Sequence, residues 1–416
     1  MTGSGNSLRI LQVHDSYAPG WGGEDTVLEL ERHMLCDRGH AVEQFRTSHA
    51  ALKNMSVVRQ MLAVPGFFWS RSAYRALQEK IGDFQPAVVH VHNSFPQLSP
   101  SVFWAAHRAG VPVIQTLHNF RHVCAGATLL RDGKTCERCV GRPPWAAVRY
   151  GCYGASRART AVVVAVNWLH SQLGTYRRVN TFVVLNDFNR EVFRRANFSV
   201  ARMATKANFV PLPPPTSGDA RNQQAVFVGA ISQGKGVPLL LEAWDRNRLA
   251  QWKLVLIGDG PEREALEPQW AHRPDIEWCG KLERREVLKR VAASRWLVFP
   301  SLAYENCPMV VLEALSAGTP VIAADHPSLR GMIRNGSEGL LFRPGSPEAL
   351  ALALETGLGS THETWAVHSS AARQAHAERY SEEENYRQLI SIYQSAIAGR
   401  AACARTVETR LAAKTS

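Results

Sequence analysis

Short apolar runs alternate with helical patterns along most of the chain. In the first half, the apolar runs lie at residues 9–14, 87–92, 113–117 and 181–185, and the helical patterns at 24–38, 99–109 and 187–196. In the second half, the apolar runs lie at residues 225–228, 253–257, 276–279, 296–299 and 320–323. Buried strands that alternate with helices are typical of parallel sheets covered on both faces. The pattern therefore predicts an α/β protein with doubly wound sheets.

A break in this alternation divides the chain. Residues 211–223 begin with the sequence PLPPPTSG, whose proline, serine and glycine content is typical of a linker. We therefore predict an N-terminal domain over residues 1–210 and a C-terminal domain over residues 224–381. The spacing of apolar residues further on predicts a helix over 382–398 that packs back toward the N-terminal domain, followed by a disordered tail over 399–416.

The composition is that of an ordinary globular protein. Of the 416 residues, 45% are apolar and 20% are charged, which argues against disordered, collagen-like and coiled-coil chains. No apolar run approaches the roughly 18 residues that a membrane-spanning helix needs. Residues 1–7 lack the basic and apolar segments of an export signal, so we expect a cytoplasmic protein.

The net charge of +12 lies entirely in the first half of the chain. Residues 1–210 carry 25 Lys and Arg against 13 Asp and Glu, whereas residues 211–416 carry 23 of each. Such an asymmetry is typical of a face that meets a bilayer, a nucleic acid or an acidic substrate, and a solvated basic face is the alternative. Within residues 50–80, Phe67, Phe68 and Trp69 stand among basic residues. This composition suits an acceptor or membrane-surface segment, or an ordinary buried helix pair.

The most specific chemical signal is a pair of carboxylates eight positions apart, Glu305 and Glu313. An apolar strand ends at Phe299, a loop carries Glu305, and Pro308 stands where the first residue of a helix belongs. The free N–H groups of residues 306, 307 and 309 would then form an anion site at the start of the helix that carries Glu313. This arrangement predicts a nucleotide site outside the carboxyl ends of the strands.

The segment from Glu305 to Glu313 resembles the E-x7-E signature of the retaining glycosyltransferases of family 4. Further short motifs resemble that family in the same order: Gly22-Gly23 after the first strand, HVHN at 90–93, TLHN at 116–119, VG at 228–229, KG at 235–236 and GDGP at 258–261. The resemblance implies the GT-B fold, in which two Rossmann-like domains face each other across a cleft. It also implies transfer of a sugar from a UDP or GDP sugar donor to a glycan or lipid-linked acceptor, in cell-surface polysaccharide or glycolipid biosynthesis. We expect no nucleic acid partner and a peripheral position on the inner face of a membrane.

The resemblance also implies roles for individual residues. Glu305 would contact sugar hydroxyls, Glu313 would hold the nucleotide ribose, and Lys235 would neutralise the diphosphate leaving group. His118, at the end of a strand, resembles the family histidine near the donor sugar, and an ordinary hydrogen-bonded loop histidine is the alternative. The residues expected along the donor are Gly22, Gly23, Gly229, Asn306, Cys307, Pro308 and Met309.

Two features bear on how the diphosphate would leave. Ala230 stands where many relatives carry Arg, so either Lys235 acts with helix dipoles alone or a basic residue elsewhere substitutes. No Asp-x-Asp occurs in the sequence, so we expect a reaction that requires no metal or other cofactor. The family resemblance implies retention at the anomeric carbon, by attack on the same face.

Four of the eight cysteines form the spacing C-x11-C-x2-C-x12-C, namely Cys124, Cys136, Cys139 and Cys152. This spacing suits a tetrahedral structural zinc, and reduced thiols or a local redox pair are the alternatives. His90 and His92 alternate on one strand and share a face. They are interpreted as structural or acceptor-side residues.

The resemblance to family 4, with the absence of Asp-x-Asp, therefore implies a metal-independent, retaining hexosyltransferase. A non-catalytic protein that binds sugar nucleotides or glycans on the same scaffold is the alternative, favoured if Glu305 and Lys235 are dispensable. An epimerase of the GT-B type would need a different set of carboxylates and histidines.

Overall fold

The computed structural model describes residues 7–16, 22–48, 57–212, 221–246 and 251–415, and only the backbone of residues 57, 58, 60, 61 and 401–415. Most of the predicted linker, residues 213–220, lies outside the described residues, as do residues 50–56 of the predicted surface segment.

The N-terminal domain is built on a parallel sheet. Its strands are β1 (Arg9–Ser16), β2 (Ala41–Ser48), β3 (Val88–Asn93), β4 (Val113–Thr116), β5 (Leu130–Arg131), β6 (Lys134–Thr135), β7 (Thr181–Val184) and β8 (Met203–Thr205). Its helices are α1 (Gly23–Asp37), α2 (Val57–Phe68), α3 (Arg71–Phe84), α4 (Ser101–Arg108), α5 (Trp145–Tyr150), α6 (Arg157–Gln172) and α7 (Asp187–Arg195). Six strands pair in the order β2-β1-β3-β4-β7-β8, and β5 and β6 form a separate antiparallel hairpin.

The C-terminal domain repeats this architecture. Its strands are β9 (Asn222–Val228), β10 (Lys253–Ile257), β11 (Ile276–Gly280), β12 (Ser294–Phe299), β13 (Val321–Ala324) and β14 (Gly339–Phe342), in the order β11-β10-β9-β12-β13-β14. The helices are α8 (Val237–Arg246), α9 (Arg263–Gln269), α10 (Arg284–Ala293), α11 (Met309–Ala317), α12 (Pro327–Arg330), α13 (Pro347–Leu358), α14 (His362–Arg379) and α15 (Glu382–Thr415). The two six-stranded parallel sheets confirm the predicted doubly wound α/β class.

Each sheet reverses its strand order once, between β1 and β3 and between β9 and β12. Doubly wound domains bind ligands in the crevice outside the carboxyl ends of the strands at such a reversal. The segment after β1 leads to α1, the segment after β9 contains Gly229 and Lys235, and the segment after β12 contains Glu305. The topology therefore brings most of the predicted site residues to these crevices.

Five strands were absent from the prediction: β2, β8 and β14 of the two large sheets, and β5 and β6 of the hairpin. Strand β2 has the mostly polar sequence AVEQFRTS and lies at an edge of its sheet, where its side chains are exposed or half-buried. Such a strand carries no continuous apolar run. Strand β9 begins at Asn222, before the expected domain start at 224, because its first two residues are polar and exposed.

The last helix, α15, lies against the N-terminal domain. Leu389 and Tyr393 are fully buried in a cluster that includes Ile10 and Val88. The helix continues to Thr415 instead of ending at 398 as predicted, because the residues after 398 are rich in Ala, Arg and other strong helix formers. Among the helices of the described residues, none combines the length and the apolar character needed to cross a membrane.

Candidate functional site

Two helix N-termini approach each other between the domains. Helix α1 begins at Gly23 and helix α11 begins at Met309. A Cβ atom at position 23 would lie 3.5 Å from Met309 Cγ, so any side chain larger than a methyl group would meet the methionine. Gly22 is the cap residue of α1 and has no side chain to satisfy the first N–H groups of the helix. The glycine pair therefore leaves an uncapped, positively polarised helix end beside the loop over residues 300–308, which carries Glu305 and is called the donor loop here.

Pro308 and its neighbours form the corresponding end of α11. Pro308 is the cap residue and has an extended backbone, so the helix begins one residue later than predicted. Within the described residues, the backbone N–H groups of Asn306, Cys307 and Met309 donate to no other group. Unpaired N–H groups at a helix start are suited to an anion such as a diphosphate.

The turn before α8 brings Lys235 to Glu305. Lys235 Nζ lies 2.7 Å from Glu305 Oε1, and the Ser301 hydroxyl donates to the same oxygen at 2.6 Å. Burial acts to raise the pKa of Glu305, but the charge of Lys235 and the hydrogen bonds from Lys235 and Ser301 together outweigh it, and the pKa lies below its ordinary value. The two residues expected to meet different parts of a donor therefore form an ion pair with each other.

Glu313 pairs with a residue that the sequence did not single out, Arg284. Arg284 Nη2 lies 2.7 Å from Glu313 Oε1, and its Nη1 lies 3.5 Å from the Thr26 hydroxyl on α1. The Glu313 side chain is only 7% exposed, and burial raises its pKa despite the opposing charge of Arg284. Arg284 begins α10 and reaches the first turn of α1 across the cleft. Arg284 thus places a basic side chain near the donor loop, whereas position 230 carries Ala.

Gly229 lies at the end of β9, where two loops approach closely. Its N–H donates to the Ile257 carbonyl at 3.0 Å. A Cβ on Gly258, whose φ is +139°, would lie 1.8 Å from the Gly229 carbonyl oxygen. The loops after β9 and β10 can therefore pack together only with glycine at 258. Ala230, the next residue, is exposed.

Three asparagines tie the donor loop to the N-terminal domain. Asn186 donates to the Asn306 carbonyl at 2.5 Å, and Asn208 donates to the Cys307 carbonyl at 3.1 Å. The amide of Asn306 in turn donates to the His118 carbonyl. Sequence reasoning missed Asn186 and Asn208; the cap position of Asn186 at the start of α7 was a signal that could have located it.

His118 follows β4 and packs on His92 of β3. The two rings are nearly parallel, with centroids 5.2 Å apart, and they meet edge to edge, since His92 Nδ1 lies 2.9 Å from His118 Nε2. Burial lowers the pKa of His118 to about 3, so the ring is neutral at physiological pH. Asn119 donates from the next position to Glu24 of α1 at 2.8 Å. His118 thus stands at the N-terminal side of the cleft, joined to the donor loop through its own carbonyl.

The cysteine segment, residues 124–152 with the four cysteines of the predicted zinc site, contacts the C-terminal domain near Lys235. A Cβ on Gly133, in the turn of the β5–β6 hairpin, would lie 3.5 Å from Gln233, and a Cβ on Gly234 would lie 3.1 Å from Leu130. The four cysteines of the predicted zinc site are all half-buried and free of disulfides.

Ligand distances do not single out these cysteines. Among the described residues, the one group of three potential ligand atoms within 4.8 Å of one another is Glu31, His90 and His92. No three of the four sulfur atoms approach that closely, so the zinc site stays a prediction.

The aromatic segment before α3 packs into the protein. The Phe67 ring lies 6.4 Å from that of Phe95, and Trp69 packs on Tyr74 and Trp104. Phe67 and Phe68 are half-buried, and Trp69 is 37% exposed. Of the two interpretations of this segment, the ring contacts of Phe67 and Trp69 favour the helix pair that packs into the protein.

Two family profiles match the chain one after the other. Residues 22–208 match the Glycosyl transferase 4-like domain, and residues 222–359 match Glycosyl transferases group 1. The first match spans most of the N-terminal domain and the second contains Lys235, Glu305 and Glu313.

Two known proteins are similar to this chain in sequence. The alpha-monoglucosyldiacylglycerol synthase of Streptococcus pneumoniae is 23% identical over 361 residues, which cover 80% of this chain and 75% of that protein. The sulfoquinovosyl transferase SQD2 of Arabidopsis thaliana is 33% identical over 162 residues, which cover 38% of this chain and only 31% of that protein.

Two solved structures are similar over nearly the whole chain. Anabaena Alr3699/HepE in complex with UDP and glucose superposes with a TM-score of 0.64 and 16% identity, covering 93% of this chain and 100% of that one. Sucrose-phosphate synthase from Thermosynechococcus elongatus superposes with a TM-score of 0.69 and 16% identity, covering 94% and 100%. At this identity the likeness establishes the GT-B fold, which confirms the predicted architecture. Together with the two profile matches, it shows that the chain belongs to the glycosyl transferase group 1 family and is a glycosyltransferase.

Proposed function

We propose that this glycosyltransferase moves a hexose from a nucleotide diphosphate sugar to a glycan or lipid-linked acceptor, with retention at the anomeric carbon. The observation that carries the proposal is the meeting of two uncapped helix ends, α1 and α11, beside the Lys235–Glu305 pair. Helix N-termini favour anions, and a lysine beside them adds a full positive charge. These are the groups that a departing diphosphate requires.

Each side chain of the site has a separate task in this proposal. The Lys235 ammonium exchanges Glu305 for a diphosphate oxygen, and the freed Glu305 carboxylate accepts hydrogen bonds from sugar hydroxyls. Glu313 accepts the paired hydroxyls of the ribose. The acceptor hydroxyl attacks on the face from which the diphosphate leaves, and a diphosphate oxygen takes its proton.

UDP is the first nucleotide to test, because a relative with the same fold, Alr3699/HepE, binds UDP and glucose. Purified protein should release UDP from one UDP-hexose in the presence of an acceptor, and the anomeric configuration of the product should be that of the donor. Release of nucleotide from GDP sugars alone would overturn the choice of UDP. Absence of transfer with every donor and acceptor, together with tight nucleotide binding, would favour the non-catalytic alternative.

A lipid-linked acceptor at an anionic membrane surface is supported by the charge of the N-terminal half and by one exposed surface patch. Trp145 is 73% exposed on α5, and exposed Arg142 and Arg149 flank it in sequence. Arg157 joins them, since its Nε donates to the Arg149 carbonyl at 3.1 Å. An indole surrounded by arginines suits the interface of an anionic bilayer. The similarity to a glycolipid synthase of S. pneumoniae is consistent with such an acceptor.

A further inference from the structure

A buried carboxylate stands behind His92 on the side away from His118. Glu31 of α1 is fully buried, and its Oε1 lies 2.8 Å from Lys206 Nζ. Its second oxygen, Oε2, lies 3.5 Å from His92 Nε2. Neither of these two atoms has a hydrogen-bond partner among the described residues. An unpaired buried carboxylate oxygen is costly, so the nearest group that can donate to it has a strong preference to carry a proton.

The other neighbours of Glu31 are already engaged. His90 Nδ1 lies 2.8 Å from the Tyr393 hydroxyl, and His90 Nε2 lies 2.8 Å from the Thr116 hydroxyl. The Lys206 ammonium also contacts the Asn385 side-chain oxygen at 3.2 Å. Lys206 supplies the countercharge of Glu31. The cluster of Glu31, His90 and His92 therefore needs no metal ion to balance its charge. The remaining donor for Glu31 Oε2 is the Nε2–H group of His92.

A proton on His92 Nε2 determines where the proton of His118 lies. Burial lowers the pKa values of both rings, so each is neutral and carries one ring proton. If His92 holds its proton on Nε2, its Nδ1 is an acceptor, and the contact of 2.9 Å requires His118 to donate from Nε2. His118 Nδ1 is then an acceptor. Within the described residues it makes no hydrogen bond and is not among the buried unpaired atoms.

We propose that Glu31 and His92 are positioning residues that fix His118 in the Nε2–H tautomer, so that its Nδ1 accepts a hydrogen bond from a sugar hydroxyl in the cleft. In the opposite tautomer, His118 Nδ1 would carry a hydrogen and could not accept one from a sugar hydroxyl. The proposal deepens the proposed function, on which its sugar ligand rests. Its tautomer part concerns the protein alone.

Other charged or titratable groups near His92 do not change the assignment of its proton to Nε2. His14 lies edge-on to His92 with centroids 6.4 Å apart, and its Nε2 is directed to Asp25 at 3.2 Å. The His90 ring lies 4.2 Å from that of His92 and is held by its own two partners. Lys206 contacts Glu31 and Asn385. Glu31 is thus the one carboxylate that these contacts bring to the His92 ring.

The direct test is 15N NMR of the histidine rings in protein without donor. Protonated and unprotonated ring nitrogens have distinct 15N shifts, and we expect His118 to be protonated at Nε2. In His92→Phe, which keeps an aromatic ring at position 92 and removes the acceptor, a substantial part of His118 should move to the Nδ1–H tautomer. In His92→Asn, whose amide oxygen can stand where Nδ1 stood, the Nε2–H tautomer should be retained. Finding His118 protonated at Nδ1 in the wild type would overturn the proposal.

His90→Gln is the matched control, because His90 lies on the same face of β3 in the same buried network but does not touch His118. It should leave the His118 tautomer unchanged, and a shift equal to that of His92→Phe would mean that general loosening, not the His92 contact, sets the proton. A Glu31 variant is avoided as the primary test, since it would strand the buried Lys206.

Turnover separates this inference from the proposed function. Outer partners that fix the tautomer of a ligating histidine are worth roughly 10- to 100-fold in metal sites, and we expect kcat of His92→Phe to fall on the order of 10-fold, with recovery in His92→Asn. UDP affinity should not change, because the groups proposed to hold UDP, namely the N-termini of α1 and α11 with Lys235 and Glu313, include neither His92 nor His118. A tautomer shift without any change in kcat would reject the sugar contact. If the wild type had no transferase activity, the NMR result would still decide the tautomer.

Discussion

Lys235 and Glu305 form an ion pair in which Nζ and Oε1 lie 2.7 Å apart. Lys235 follows β9 and Glu305 follows β12, so the pair spans the strand-order reversal of the C-terminal sheet. A diphosphate and a sugar hydroxyl would each compete for one member of the pair. The ion pair holds both side chains in place. A donor that binds to either side chain must replace this interaction.

Lys235→Ala should reduce turnover by roughly 100-fold or more, because one preorganised charge opposite the leaving diphosphate is lost. Glu305→Gln should also reduce turnover but should leave nucleotide affinity nearly unchanged. Both are measured by nucleotide release, with exposed Lys289→Ala as the control. Turnover should persist in EDTA. Full activity of Lys235→Ala, or a loss in EDTA that Mg²⁺ or Mn²⁺ restores, would contradict the assignment.

Glu313→Ala should weaken binding of free UDP by roughly 1 to 3 kcal/mol, the usual cost of losing a hydrogen bond to a charged group. The prediction follows from the place of Glu313 on α11, beyond the helix start that would face the diphosphate. Calorimetry measures the affinity, with Glu378→Ala on the exposed face of α14 as the control. Unchanged UDP affinity in Glu313→Ala would remove the ribose from this carboxylate.

Acid should destabilise the fold through its buried neutral histidines. Burial lowers the pKa of His118 to about 3 and that of His122 to about 4, whereas unfolded histidine titrates near 6.5. The unfolded chain therefore binds more protons below pH 6.5, and stability falls as pH falls toward the folded pKa values. Each such residue contributes a slope of up to about 1.4 kcal/mol per pH unit. Urea unfolding of His122→Phe between pH 7 and 4 should show a shallower slope than wild type, and an equal slope would refute the effect.

The cysteine segment should bind about one zinc ion per chain if Cys124, Cys136, Cys139 and Cys152 close around a metal. Elemental analysis of protein purified without chelators measures the content. A Cys136→Ser and Cys139→Ser double variant should lose the zinc and melt at a lower temperature, whereas exposed Cys36→Ser should retain both properties. Wild-type protein without zinc or iron would leave these residues as reduced thiols.

Vesicles that contain anionic lipid should bind the protein in a manner that salt reverses, since basic residues near a charged surface contribute up to about 1 kcal/mol each. Combining Trp145→Ser with Arg149→Ser should weaken co-sedimentation, whereas Leu352→Ser, at a leucine 65% exposed in the near-neutral half, should not. Equal and negligible pelleting with neutral and anionic vesicles at low salt would favour a soluble acidic acceptor.

The sequence predicted the fold well because its buried strands are continuous apolar runs and its helices are amphipathic. It singled out Glu305, Glu313, Lys235 and His118 through short motifs that resemble a known family, and the roles of these residues stay predictions. The sequence analysis missed Arg284 and Glu31, because each is a single charged residue on a helix and its partner is distant in the chain. A pairing such as Arg284 with Glu313 depends on how two helices lie beside each other, which local pattern does not encode.

The hydrogen bonds of three asparagines between the domains restrict where the cleft can open. Asn186 and Asn208 hold the carbonyls of Asn306 and Cys307, and Asn306 holds that of His118. Opening the cleft at this edge would break all three bonds at once, whereas rotation about the edge would preserve them. A domain rotation that preserved these three bonds would therefore have to turn about the donor loop.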